Sequence, residues 1–395
     1  MDDTTPRRRR ILTLLWRASV VALFLLLILK WGVVDGFEVR GNSMLPLLRD
    51  REGEPDKIVV FKRYFDLFAP ERFGLVVFDR PEREAGSSFP ANLQGDRFVK
   101  RLVAFPGEKV LVRDGDLFVI AKDGSGSLDQ PVKRPLAVLL EMMQTVSRLD
   151  PGHPSGTPWS LPKGCHREGE WLVVDGSNGE AGLIRYGELI RDDWVDEAGR
   201  LQLGGSRVND VAVSFRVVPE EGVRLVAELR EAGDHFTAVL ACGEPFRIFR
   251  RRGPSDAEEL GAAGTGLAPG KEAQVVFLNV DNRLILLVDG VQVLDLPYEW
   301  NTEVVGLASN VPALGVSGGV ARLREIEILR DIHYTENDCR FGVREPFEVP
   351  EGEYFLLGDN SVNSRDSRHF GSIPKERFVG RPFLILHPFH RFRAL

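Results

Sequence analysis

Cysteine is scarce in this chain, with three residues in 395, Cys165, Cys242 and Cys339. An odd count leaves at least one thiol unpaired. Cys242, inside the apolar run 236–242, reads as a buried thiol. Cys165 and Cys339 could bridge only if the ends of the segment between them meet in space, which spacing does not settle. Positive charge is also short. The formal net charge is -7 and the isoelectric point about 5.7, which argues against nucleic acid as a partner, because phosphate contacts need a concentrated basic surface. Repeats and low-complexity tracts are absent. None of the seven histidines sits beside a serine, and there is no G-x-S-x-G elbow, so the usual serine-hydrolase base has no local candidate. What remains is an ordinary globular composition, 43% hydrophobic and 28% charged, long enough for two or three domains.

The one basic cluster, Arg7 to Arg10, precedes a mostly apolar stretch over 11–34. Its uncharged core, 18–29, is shorter than the ~20 residues that cross the hydrocarbon layer. Arg17 and Lys30 near the core's ends can snorkel to the headgroups, and Trp16 and Trp31 suit the interfaces. With its flanks the segment is long enough to span. A cleavable secretory signal would have a similar core, but the residues after it, Lys30-Trp31-Gly32-Val33-Val34, are bulky where a cleavage site needs small ones. The expected layout is a cytoplasmic N-terminus over 1–10, a single transmembrane helix over 11–34, and the rest of the chain on the outer face of the membrane.

Beyond the anchor the chain reads as mainly β. Short strands are expected at 57–62, 74–79, 97–104, 109–113 and 117–120, with a hairpin turn at Arg113-Asp114-Gly115-Asp116. A Gly/Ser linker follows at 123–129, then helical spacing of Leu, Met and Val over 136–149, stopped by Pro151 and Gly152. Residues 171–332 alternate apolar and polar through many short strands and contain a second hairpin signal at Asp289-Gly290. That pattern suggests a β-sandwich. It resembles concanavalin-like or laminin-G-like sandwiches in pattern only, without a ligand motif. The expected division is a catalytic core over 36–122 and 346–395, a linker with a helical connection over 123–170, and an inserted sandwich over 171–332 that stands apart from the catalytic centre.

Three segments carry chemistry. Near the C-terminus, Gly358-Asp359-Asn360-Ser361-Val362-Asn363-Ser364-Arg365-Asp366-Ser367-Arg368 is dense in turn formers, hydroxyls and opposed charges, yet it lies between apolar runs at 354–357 and 378–386. A polar stretch framed that way builds a site on a sheet. Upstream, Gly41-Asn42-Ser43-Met44-Leu45-Pro46 presents a serine between a permissive glycine and a turn-fixing proline. Lys100 lies in Phe98-Val99-Lys100-Arg101-Leu102-Val103, an apolar strand context that would favour its neutral form if buried. Alone, the serine reads also as a turn residue and the polar segment as a charged loop, while the lysine reads first as a solvated strand residue.

Together, in this order behind an apolar N-terminal segment, the three resemble type I signal peptidases. The resemblance covers roughly 1–120 and 346–386. It implies a peptidase core built as a β-sheet or barrel, Ser43 as nucleophile and Lys100 as general base, with Ser364 orienting the lysine amine. Gly41, Met44, Pro46, Gly358, Asp359, Asn360, Asp366 and Arg368 would support the site, and Phe37, Val39, Phe98 and Val99 would line shallow substrate pockets beside an added substrate strand. It implies a membrane-bound serine endopeptidase of the cytoplasmic membrane acting on exported preproteins with small residues one and three positions before the cut. Membrane lipid is its other partner, and no cofactor and no metal is called for. Two positions depart from the family pattern. Gly41 stands where some members carry a serine that helps bind the oxyanion, and Leu47 replaces the usual threonine. A contrasting reading is a membrane-anchored binding protein whose sandwich recognises glycan or protein above an inactive peptidase scaffold.

Overall fold

A computed structural model describes residues 15–24, 32–51, 53–81, 93, 96–150, 158–177, 182–196, 198–231, 233–299 and 311–395. Of the expected anchor, 15–24 is helical with its side chains exposed. The arginine cluster and Trp31 lie outside the described residues. Among the described residues no helix is long and apolar enough to cross a membrane, and Val34, placed at the anchor's end by sequence, already belongs to the strand Val34–Glu38.

The architecture is mainly β. One sheet orders its strands Val34–Glu38, Lys57–Phe61, Phe378–His387, Leu75–Asp79, Arg97–Ala104, Glu353–Leu357 and Ile373–Pro374, all antiparallel to their neighbours. The chain's two distant halves therefore share one sheet. Its most consequential pairing sets Leu357 opposite Arg101, which delivers the polar segment starting at Gly358 beside Lys100. Beside this sheet, Phe347–Glu348, Lys109–Arg113 and Asp116–Ile120 form a smaller one. Its hairpin turns through Asp114 and Gly115, both at positive φ (55° and 95°), the backbone that a two-residue loop demands. Glycine is required at 115 for a second reason: a Cβ there would come within 2.0 Å of the His333 ring.

Two further sheets face each other. One runs Val291–Pro297, Arg283–Val288, Ala273–Val280, Val211–Pro219, Val320–Arg330, Trp171–Asp175 and His166–Glu168; the other runs Glu258–Ala263, Phe246–Arg252, Asp234–Ala241, Arg224–Glu231, Ala313–Ser317, Gly182–Tyr186 and Trp159–Ser160. Alternate residues point inward, as in Leu225, Ala227 and Leu229, and they meet Phe215, Phe236 and Phe277 in one apolar core. The Asp289-Gly290 hairpin joins Val288 to Val291 as its turn residues require.

The expected helix over 136–149 is shorter, Leu136–Met142. Gln144–Arg148, rich in β-branched Thr145 and Val146, instead pairs with Val320–Arg330 at the edge of the sandwich. Sheet pairing overrides the helical spacing there. The sandwich thus takes strands from before residue 171. All three cysteines are free, Cys165 and Cys242 half-buried rather than enclosed.

Candidate active site

Ser43 and Lys100 meet although 57 residues separate them: the Lys100 Nζ lies 2.5 Å from Ser43 Oγ. Each arrives for a local reason. The chain leaves the first strand through Val39 and turns at Gly41, whose φ of 72° suits glycine and whose N–H donates to Asp50 Oδ2 at 2.6 Å. Met44, Leu47 and Leu48 then plunge into the cluster formed by Phe37, Val39, Ile58 and Val77. This anchors the loop on both sides of the serine, and the Leu45–Pro46 peptide within it is cis. Lys100 projects from the centre of the Arg97–Ala104 strand, where it is 1% exposed.

Burial sets the lysine's chemistry. Removing the ammonium from water lowers its pKa to about 8, against the pull of the Asp366 and Asp359 carboxylates, with Arg368 lowering it further. Its hydrogen bond goes to a neutral hydroxyl. About one amine in ten is therefore neutral at pH 7, and a neutral amine can accept the serine proton.

In the polar segment after Gly358, Asp359, Asn360, Ser361, Ser364, Asp366 and Arg368 are buried and form a network. Arg368 clamps Asp366 with Nε to Oδ1 at 2.9 Å and Nη2 to Oδ2 at 2.7 Å, both residues at 0% exposure. Burial alone would raise the Asp366 carboxyl, but the Arg368 charge and the hydrogen bonds from His369 and Arg368 hold it well below the usual carboxylate range. Asp359 is gripped by Arg101, Nε to Oδ1 at 2.9 Å and Nη2 to Oδ2 at 2.7 Å. Arg101 thus faces away from Lys100 and is the neighbour's structural counterpart, a role its sequence position beside the lysine did not reveal. Ser361 was likewise missed as a support: its hydroxyl accepts from Arg368 Nη1 at 2.6 Å and from the Thr335 N–H at 2.7 Å. Gly358 is held to glycine because a Cβ would reach 2.1 Å from Ser364 Oγ and 2.7 Å from the Ser43 carbonyl.

Two expectations change. Ser364 donates to Asp366 Oδ2 at 2.8 Å rather than to the Lys100 amine, since that carboxylate, already holding Arg368 and the Gly358 N–H, is the stronger acceptor within reach. The four pocket residues do not form one surface. Phe37, Val39 and Val99 share a cluster with Leu93, while Phe98 stacks on Phe78 near Phe370, because neighbours along a strand point to opposite faces. Leu93 also bridges Val39 and Arg97, the position expected for an added substrate strand.

Away from the dyad, Asp116, Asp210 and Asp281 bring carboxylate oxygens within 4.8 Å of one another. Burial, followed by mutual repulsion, pushes Asp116 and Asp210 well above the usual carboxylate range.

The chain matches the family described as "Signal peptidase, peptidase S26" over residues 12–153 and 322–387. Among curated relatives, the signal peptidase I of Aquifex aeolicus is 43% identical over 60 residues, 15% of this chain and 23% of that protein. The signal peptidase I of Bacillus amyloliquefaciens is 47% identical over 49 residues, 12% of this chain and 25% of that protein. A Synechocystis protein named "Probable signal peptidase I-1" is 29% identical over 116 residues, 29% of this chain and 54% of that one. These alignments thus span from about a quarter to about half of each relative's own length. Among solved structures, a carbohydrate-binding module from Bacillus subtilis overlaps 44% of this chain and 95% of its own at 13% identity, with a TM-score of 0.30, too low to carry an inference. The family match lies on both sides of residues 154–321 and takes in more than half of the chain, which belongs to the signal peptidase family, peptidase S26.

Proposed function

We propose that this chain is a membrane-bound serine endopeptidase that removes N-terminal signal peptides from exported preproteins through a Ser43–Lys100 dyad. The observation that carries the proposal is the 2.5 Å contact between a buried lysine amine and a serine hydroxyl, with the amine's pKa brought down to about 8. Ser43 Oγ attacks the scissile carbonyl carbon while neutral Lys100 takes its proton. The C–N bond breaks as Lys100 returns that proton to the leaving amine, which leaves an ester on Ser43. Lys100 then takes a proton from water as its oxygen attacks the ester carbon, and the bond to Ser43 Oγ breaks as Lys100 returns that proton to it, freeing the acid and restoring the dyad.

The family implies preproteins with signal peptides as substrates, and the proposal adds a preference for small residues one and three positions before the cut. A strand of substrate lying between Val39 and Arg97 has to replace Leu93, which now bridges both. The N-terminal apolar segment ahead of the Val34–Glu38 strand anchors the chain in the cytoplasmic membrane with the catalytic core, 36–122 and 346–395, outside. Few residues separate that segment from Ser43, so proximity to the bilayer supplies an effective concentration of signal peptide. The sandwich is an insertion in this core.

The test is cleavage of a preprotein by the purified chain in detergent, with Ser43→Ala and Lys100→Ala beside wild type. Each substitution should abolish processing, and the double variant should be no worse than either, since the two groups act as one unit. Substantial processing by either single variant, with folding intact by circular dichroism, would refute the dyad.

A further inference from the structure

The sandwich does not stand clear of the catalytic loops. Trp194–Val195 pairs with Leu201–Gln202 in a small hairpin. Its turn is organised by the Asp196 carboxylate, which accepts from the N–H groups of Ala198 and Arg200 at 2.9 Å each, from Arg200 Nε at 3.0 Å and from Gln202 Nε2 at 2.9 Å. Behind the hairpin, Arg330 on the last long sandwich strand donates to the Asp193 carbonyl. Held this way, the hairpin turns two backbone carbonyls toward the polar loops of the core. Asn42 Nδ2 donates to the Asp196 carbonyl at 2.8 Å. Asn360 and Asn363 donate to the Val195 carbonyl at 3.2 Å and 3.3 Å. The contact closes on itself, because Asn360 Nδ2 also reaches the Asn42 carbonyl at 2.9 Å and the Asn360 N–H reaches the Ser43 carbonyl at 3.0 Å.

Asn42 immediately precedes Ser43, and Asn42 and Asn360 are 4% and 5% exposed. Buried amide donors need partners, and two of those partners belong to the insertion. We propose that the hairpin of Trp194–Val195 and Leu201–Gln202 is a positioning element of the peptidase site, which fixes the Ser43 loop against Lys100 and makes turnover depend on the folded insertion. The proposal rests on the dyad reading above. A misplacement of about 1 Å at a reacting group can cost on the order of a hundredfold in rate, so the effect belongs in kcat.

The experiment uses the full chain in detergent with a peptide spanning a signal-peptide cleavage site. Asp196→Ala and Asn42→Ala should each lower kcat about tenfold with KM within about twofold, and the double variant should fall little below the weaker single, because both release the same contact. Asp196→Asn, which keeps an acceptor oxygen, should recover most of the rate. Hydrogen–deuterium exchange over 41–45 should accelerate in Asp196→Ala, a readout that needs no cleavage and no variant at the loop itself. Unchanged kcat in both single variants, losses that multiply, or unchanged exchange over 41–45 would overturn the positioning role. A wild-type chain that cleaves nothing while exchange still responds would sink the dyad reading and leave the positioning contact standing.

Discussion

Lys100 in the peptidase core and Arg134 beside the sandwich are both nearly removed from water, at 1% and 5% exposure, yet burial has opposite consequences for them. Arg134 is met by two carboxylates, Nε to Asp281 Oδ2 at 2.9 Å and Nη1 to Asp331 Oδ1 at 3.1 Å, with further bonds from Nη2 to both. Burial disfavours its charge, but those partners outweigh the penalty and hold its pKa well above the ordinary arginine value. Lys100 has a hydroxyl as its hydrogen-bond partner, and Asp366 and Asp359 act only from beyond ion-pair distance. Desolvation therefore wins, and the amine loses its proton near neutrality. A buried cation that is paired fixes structure, whereas one that is left without a contacting carboxylate becomes a base. Arg101 and Arg368, each with its own buried aspartate, fall with Arg134.

The contrast is broken most severely by unpairing the structural cation. Arg134→Met leaves Asp281 and Asp331 buried without their counter-charge and should destabilise the chain by about 3–5 kcal/mol, seen as a lower denaturant midpoint, whereas Lys100→Met strands no contacting carboxylate and should leave that midpoint in place. Equal losses from the two would erase the distinction.

A pH series sharpens the same comparison. Lys100 acts only when neutral, so kcat/KM should rise about tenfold per unit well below pH 8 and level off above it, roughly fiftyfold between pH 6 and 8. A profile that keeps climbing through pH 10 would mean a solvated lysine, and a flat one would mean another base.

The smallest effect is expected at Ser364. Its hydroxyl bonds Asp366 rather than the amine, and Asp366 keeps Arg368 and the Gly358 N–H, so Ser364→Ala should cost about 1 kcal/mol of stability and only a few-fold in rate. The pH at which activity levels off should not move; a shift of a full unit would restore the lysine-orienting role that the motif suggested.

Much of this was legible before any coordinates. Alternation marked the strands of both regions, since a residue's side on a sheet follows from counting by two. Asp114-Gly115 and Asp289-Gly290 declared their turns because few other residues adopt positive φ cheaply. The residue types of the site, Ser43, Lys100 and the Gly358-to-Arg368 segment, were visible through their local framing. The helical spacing over 136–149 misled beyond Met142 because edge pairing with Val320–Arg330 is a long-range contact that no local window contains.

The sequence by itself determined the local terms: which segments extend, where they turn, and which side chains are available for chemistry. Only the tertiary structure decided who meets whom. Arg101 finds Asp359 across 258 positions, Lys100 finds Ser43 across 57, and Asn42 finds the Asp196 carbonyl across 154. The lysine's basicity belongs to this second class. A pKa is set by the solvent excluded and the charges assembled around a group, and for Lys100 both are supplied by strands and loops drawn from distant parts of the chain.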